Sequence, residues 1–318
     1  MNPLYPSIEP YDHGMLDAGN GHQVYWEACG NPRGKPALVL HGGPGSGCTP
    51  WHRRLFDPAA YRIILFDQRS CGRSTPHAGA PIIDLAANTT PHLLADIERL
   101  RQLLAIDRWL LLGGSWGSTL ALAYAQANPG RVSEMVLFGV TSGRRVESDW
   151  QFRGGLARAF PAQWERLRAA LPASDRDHDI VEAYAKLLMD PDPAVHNHAA
   201  YEWCLWESAT PAWPPAADLA PRFQDPAYAL AFARIVTHYI RHDTWIEDGA
   251  LLRDIGLLSN IPAVMINGRH DTRSLLSAND LQQLWPGSEH VIVEEAAHSA
   301  DNPGIAQELV RATDRFAR

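Results

Sequence analysis

From Pro36 onward the chain alternates short, continuously apolar runs with longer stretches in which apolar residues recur every three or four positions. The runs cover residues 38–40, 63–66, 109–112, 135–138, 263–266 and 291–293. Because they are apolar at consecutive rather than alternate positions, they suit strands buried on both faces, as in a parallel sheet covered on either side by helices. The periodic stretches predict helices over 93–104, 119–127, 277–284 and 305–316. Before Pro36 the signal is different. Segments 13–16 and 23–28 flank Asn20-Gly21, a pair that favours a tight hairpin turn. The expected frame is an antiparallel hairpin at one edge of an otherwise parallel sheet.

Between residues 142 and 258 the alternation stops. This block is rich in tryptophan, proline and helix formers, contains no convincing strand, and interrupts the sheet between two of its strands. The division expected is 1–141 and 259–318 as two parts of one α/β core, with 142–258 inserted as a helical cap. A core with this edge hairpin, these strands and this insertion fits an α/β-hydrolase fold.

Bulk properties narrow the function without choosing it. With 318 residues, 46% of them hydrophobic, the chain can bury a large core. A formal charge of −8 and the lack of a basic run argue against a nucleic-acid surface. The first residues carry no basic patch followed by an apolar segment, and no apolar run reaches the roughly 18 residues of a membrane span, so a cytoplasmic protein is expected, with no membrane partner. Cys29, Cys48, Cys71 and Cys204 fall at unrelated spacings that suggest neither zinc nor redox exchange. No metal-ligand spacing is visible, and no cofactor is called for.

The chemistry is read at Gly113-Gly114-Ser115-Trp116-Gly117, where an apolar run ends and an Ala/Leu-rich helix begins. A G-x-S-x-G turn between strand and helix projects its serine above the sheet, which makes Ser115 the candidate nucleophile. The acid and the base then follow in the order Ser, acid, His, each after a late strand. Asp271 follows the run 263–266, and His298 follows the run ending at 293. Among 14 histidines, only position after a strand end discriminates. His270 adjoins the proposed acid and His290 begins a strand, while Asp254 and Asp301 are alternative acids. The oxyanion hole needs two backbone N–H groups. One belongs to Trp116, the residue after the nucleophile. The other is Gly43, or alternatively Gly42, in His41-Gly42-Gly43-Pro44-Gly45 after the run 38–40. The Lys-Ser/Thr ending of a phosphate loop is missing from that segment. His41 is expected to brace this loop, and 67–74 to act as its scaffold. Cys71 would then lie near the site, where a thiol reagent could block it.

These motifs together resemble the prolyl aminopeptidase, or proline iminopeptidase, family of α/β-hydrolase serine peptidases. The likeness is carried by His41-Gly42-Gly43-Pro44-Gly45, Asp67-Gln68-Arg69 with Cys71-Gly72-Arg73-Ser74, and the elbow through Leu120. Weaker echoes extend it over the whole chain: Phe160-Pro161, Trp206-Glu207, Ala233-Arg234-Ile235, Gly268-Arg269 and His298-Ser299-Ala300. The resemblance implies release of an N-terminal proline, or another small residue, from peptides or amides by a Ser/Asp/His triad without metal. It also implies that Glu207, after Trp206, binds the substrate's α-amino group, with Phe152 and Gly42 in the substrate pocket. Five positions depart from the family, among them Ser70 and Ala297, each standing where a glycine is usual. Val236 stands where a second amine-binding carboxylate is usual, and Thr141 and Ile240 stand where aromatic residues are usual. A carboxylesterase or lactonase using the same triad, and a binding protein that kept the pocket, are the competing functions.

Overall fold

The amino-terminal hairpin is formed by β1 (Asp12–Gly19) and β2 (His22–Gly30), with Asn20 at φ 53° and Gly21 at φ 76° in the turn between them. Positive φ at both central residues is what the Asn-Gly pair accommodates. The computed structural model describes residues 3–211, 214, 216–302 and 304–317. Six further strands follow: β3 (Lys35–Leu40), β4 (Tyr61–Phe66), β5 (Trp109–Gly114), β6 (Val132–Phe138), β7 (Ala263–Gly268) and β8 (Ser288–Val293). They complete a sheet in the order β1-β2-β4-β3-β5-β6-β7-β8. Strand β2 also runs antiparallel to β4, and every pairing from β4 to β8 is parallel.

The apolar runs have a direct structural cause. In β3, Leu38 and Leu40 face one buried cluster while Ala37 and Val39 face another. In β5, Leu111 points to the first cluster, and Leu110 and Leu112 to the second. A strand covered on both sides has no polar face to alternate with.

The helices, in chain order, are α1 (Pro50–Arg53), α2 (Thr90–Leu103), α3 (Trp116–Ala127), α4 (Arg145–Phe152), α5 (Pro161–Ala169), α6 (Ile180–Leu188), α7 (Pro193–Ala209), α8 (Pro226–Arg241), α9 (Ala250–Arg253), α10 (Thr272–Leu284) and α11 (Ile305–Phe316). Helix α11 closes the second cluster with Ile305, Leu309, Val310 and Phe316, spaced to lie along one stripe. Helices α2, α3 and α10 contribute Ile97, Leu120 and Leu281 to the first.

Between β6 and β7 no strand occurs among the described residues. Helices α5 to α8 bury a third cluster of their own around Tyr184, Trp203, Trp206, Phe232 and Val236. Helix α8 has two apolar faces. Val236 and Ile240 point into the helical cluster, whereas Ile235 and Tyr239 join the cluster on the sheet. At the end of the block, Leu251, Ile255 and Leu258 also pack with the sheet rather than with the helices. No helix of the described residues is long and apolar enough to cross a membrane.

Candidate active site

Strand β5 runs directly into α3 through Ser115, which takes φ 54° and ψ −124°. This is a region L-residues rarely adopt, and it persists only where surrounding packing imposes it. The packing is tight. A Cβ on Gly117 would collide with the Leu40 carbonyl oxygen, and one on Gly113 with the backbone of Gly117, so strand and helix could not close with larger residues there. Below the turn, the Thr141 hydroxyl donates to the Ser115 carbonyl at 3.0 Å and meets Thr119 Oγ1 at 2.8 Å. Ser118 Oγ also donates to the Ser115 carbonyl, at 2.6 Å.

His298 arrives from the loop after β8. Its Nε2 lies 2.9 Å from Ser115 Oγ and its Nδ1 2.6 Å from Asp271 Oδ2. The three candidates from distant parts of the chain therefore form one hydrogen-bonded series at the carboxyl edge of the sheet. Gly139 makes room for the ring, because a Cβ there would stand 2.9 Å from His298 Cε1. Burial opposes ionisation of Asp271, but the neighbouring His298, Arg273 and Ser274 outweigh it and hold the carboxyl below its usual range. An ionised Asp271 accepting from Nδ1–H leaves Nε2 free to take the Ser115 proton. Ser274 Oγ, 3.3 Å from the same Nδ1, is a neighbour that sequence reasoning missed; nothing in the motif marks it.

The alternatives lie elsewhere. Asp254 is half-buried and paired with Arg253 at 2.9 Å. His290 sits inside β8, third from its start, and Asp301 is exposed on the loop after the base.

The glycine loop after β3 passes against Ser115: a Cβ on Gly42 would be 3.3 Å from Ser115 Cβ. Trp116 is the first residue of α3, where amides have no acceptor within the helix. His41 ties the loop down. Its Nδ1 donates to the Gly42 carbonyl at 2.9 Å, and its Nε2 accepts from the Gln68 amide at 2.9 Å. Burial lowers its pKa and keeps it neutral, as that pair of roles requires. Gln68 in turn accepts from the Trp116 indole at 2.9 Å, and Asp67 accepts from the Cys48 and Arg73 amides. Cys71 is buried, and burial raises its thiol pKa well above the ordinary value. The expectation that a thiol reagent would reach it is corrected accordingly, since neither access nor thiolate is provided.

On the helical side, Glu207 of α7 is buried and has no ion-pair partner among the described residues. Burial pushes its pKa up to about 7, against the pull of Arg222, Arg273 and His298. Gln151 Nε2 donates to it at 3.3 Å, and the Trp203 indole faces it without closing a hydrogen bond. Phe152 is stacked on Trp203, with ring centroids 5.1 Å apart, one turn before Glu207. Val236 and Ile240 are buried in the helical cluster, and the Thr141 hydroxyl is occupied with the nucleophile's turn. Tyr239 lies edge-on to Trp116 at 4.9 Å, and the His298 amide donates to the Pro211 carbonyl at 3.2 Å, so the helical block contacts both ends of the series.

Residues 35–300 match the family model described as alpha/beta hydrolase fold. Among relatives, the chain is 52% identical to the "Probable proline iminopeptidase" of Streptomyces coelicolor, covering 99% of this chain and 98% of that one. It is 47% identical to the proline iminopeptidase of Xylella fastidiosa, over 99% of this chain and 100% of the other. The solved structure of a proline iminopeptidase from Mycobacterium smegmatis aligns with a TM-score of 0.60 at 19% identity, covering 96% of this chain and 100% of that one. At that identity the last match speaks for the fold alone.

Proposed function

The chain belongs to the proline iminopeptidase family of α/β hydrolases, and from that membership and the geometry above we propose a serine aminopeptidase that releases an N-terminal proline from small peptides or amino-acid amides. Ser115 Oγ attacks the scissile carbonyl while His298 Nε2 takes its proton, and Asp271 holds the ring and balances the imidazolium that forms. The Trp116 and Gly43 amides donate to the oxyanion. His298 returns the proton to the departing amine, leaving the prolyl group esterified to Ser115, and the same histidine then activates a water to hydrolyse that ester. In this reading the helical block acts as a cap, with Glu207 receiving the substrate ammonium and Gly42 and Phe152 shaping the pocket around it. Four unpaired cysteines suit a reducing cytoplasm.

The observation that carries the reading is the pairing of the Ser115–His298–Asp271 series with a buried carboxylate that has no ion-pair partner among the described residues. Such a group is expensive to bury unless a positive ligand completes it. A direct test compares burst release from proline p-nitroanilide with release from a p-nitrophenyl ester lacking an amine. The arylamide should give the higher kcat/KM relative to its uncatalysed rate. Hydrolysis of the ester alone would establish the esterase alternative instead. Failure of an organophosphonate to label Ser115 would overturn both.

A further inference from the structure

Arg273 has no part in the reaction just described, and its guanidinium lies close to the site with a neutral partner. It lies two residues beyond Asp271 on α10 and is half-buried. Several buried or half-buried arginines of this chain hold carboxylates closely, Arg53 with Glu27 at 2.8 Å, Arg69 with Asp96 at 2.6 Å and Arg144 with Asp280 at 2.8 Å, whereas the buried Arg234 is satisfied by the carbonyls of Leu188, Ala78 and Ala80. Among the described residues, no carboxylate comes within ion-pair distance of the Arg273 guanidinium. Its polar neighbour is the amide oxygen of Gln151, which accepts from Nη1.

Gln151 is itself held in place. Its carbonyl accepts from the Trp206 indole at 3.2 Å, and its amide nitrogen donates to Glu207 at 3.3 Å. A glutamate at 151 would neutralise Arg273 but would face Glu207 with a second negative charge. The amide satisfies both neighbours and neutralises neither. Arg273 is near enough to the site for its charge to act on both Asp271 and Glu207. A half-buried cation beside a substrate pocket, with only a neutral partner, is a position that a ligand's negative charge would complete.

We infer that Arg273 is a specificity residue that pairs with a carboxylate on the leaving side of the substrate, so that prolyl substrates bearing a free carboxylate there are preferred to their uncharged counterparts. The inference rests on the peptidase reading, in which Glu207 takes the amine. The carboxylate has two sources, the C-terminus of a dipeptide or the side chain of an acidic residue after proline.

Two matched pairs separate them: prolylglycine against prolylglycinamide, and prolylglutamic acid α-amide against prolylglutamine α-amide. In wild-type enzyme at least one pair should show a kcat/KM ratio of about tenfold or more in favour of the carboxylate, as a charge-assisted hydrogen-bonded pair provides. The ratio should fall towards one in Arg273→Met and return in part in Arg273→Lys. A preference within the first pair assigns the main-chain carboxylate, and within the second the side chain. Ratios near one in wild type, or ratios that Arg273→Met leaves unchanged, overturn the inference. Proline p-nitroanilide is run alongside. If wild type cleaves it without any carboxylate preference, only the role of Arg273 is lost, whereas no cleavage of any prolyl substrate removes the peptidase reading with it.

Discussion

On the sheet side of the site, the polar groups in direct contact with Ser115 and with the glycine loop are paired. His298 is held between Ser115 and Asp271, Thr141 and Ser118 bind the Ser115 carbonyl, and His41 uses both ring nitrogens on the glycine loop. On the helical side, Glu207 is more deeply buried than Ser115 or His298 but, among the described residues, hydrogen-bonds only to an amide at 3.3 Å, and Arg273 meets the other end of that amide. Under the proposed function, the contrast separates two tasks. Groups that move protons must hold one geometry before substrate arrives, so their hydrogen bonds are internal. Groups that recognise a charge must leave that charge unmatched until the ligand supplies its counterpart, and the free protein tolerates the strain.

The largest expected effect breaks the sheet side. Asp271→Asn should reduce kcat by about 10⁴ through loss of the correct imidazole tautomer, with little change in fold. Steady-state assay together with circular dichroism would check it, and near-wild-type turnover would remove Asp271 from the series.

A second change acts on the helical side. Glu207→Gln should raise KM for prolyl arylamides by about tenfold or more, the worth of a hydrogen bond to a charged group, while a p-nitrophenyl ester without an amine is hardly affected. Equal losses on both substrates would make Glu207 a structural residue. In wild type the same carboxyl gives a pH signature. It binds the ammonium only when ionised, so KM for amine substrates should climb as pH falls through about 7, and Glu207→Gln should lose that limb. Stability runs the other way. The folded pKa is raised from 4.5 to about 7, so the stability linked to this proton is fully present below 4.5 and is lost as pH rises through 7. Replacing Glu207 by glutamine should therefore raise the Tm at pH 8, by up to about 3 kcal/mol in stability, and leave it nearly unchanged at pH 4. A Tm at pH 8 that stays level or drops would contradict the view of an unmatched buried charge.

Val236→Glu sharpens the comparison by adding a second carboxylate to the helical wall. KM for prolyl arylamides should drop about tenfold and the Tm should decrease, because another uncompensated charge enters an apolar cluster. An unchanged KM would dissociate position 236 from amine binding. The smallest effect concerns Cys71. Iodoacetamide should label it in the native enzyme far more slowly than in the unfolded chain, with activity retained, and mass spectrometry of the modified peptides would measure the difference.

The sheet and the elbow are legible in sequence because they are encoded over a few neighbouring residues. Continuous apolar runs follow from burial on both faces, Asn20-Gly21 from a turn with positive φ, and the elbow from glycines at close approaches between strand and helix. Asp271 and His298 are legible as candidates for a related reason: each directly follows a strand end, so knowing the sheet assigns them to its carboxyl edge. The order of strands supports this, since β6 and β7 are neighbours across the long insertion. The apolar tail of the inserted block was less legible, because Leu251, Ile255 and Leu258 carry the same hydrophobic signal whichever cluster receives them.

What sequence alone determined, then, was the set of local conformations and the reacting groups attached to them. Which groups share a charge environment was decided only by the tertiary structure. Gln151, Glu207 and Arg273 come from α4, α7 and α10, with 56 residues between the first two and 122 between the first and last. Electrostatic interaction depends on distance through space, and no local pattern records that a glutamine would sit between a carboxylate and a guanidinium. The same holds for Thr141, whose hydroxyl reads as an ordinary loop residue until the fold brings it under Ser115.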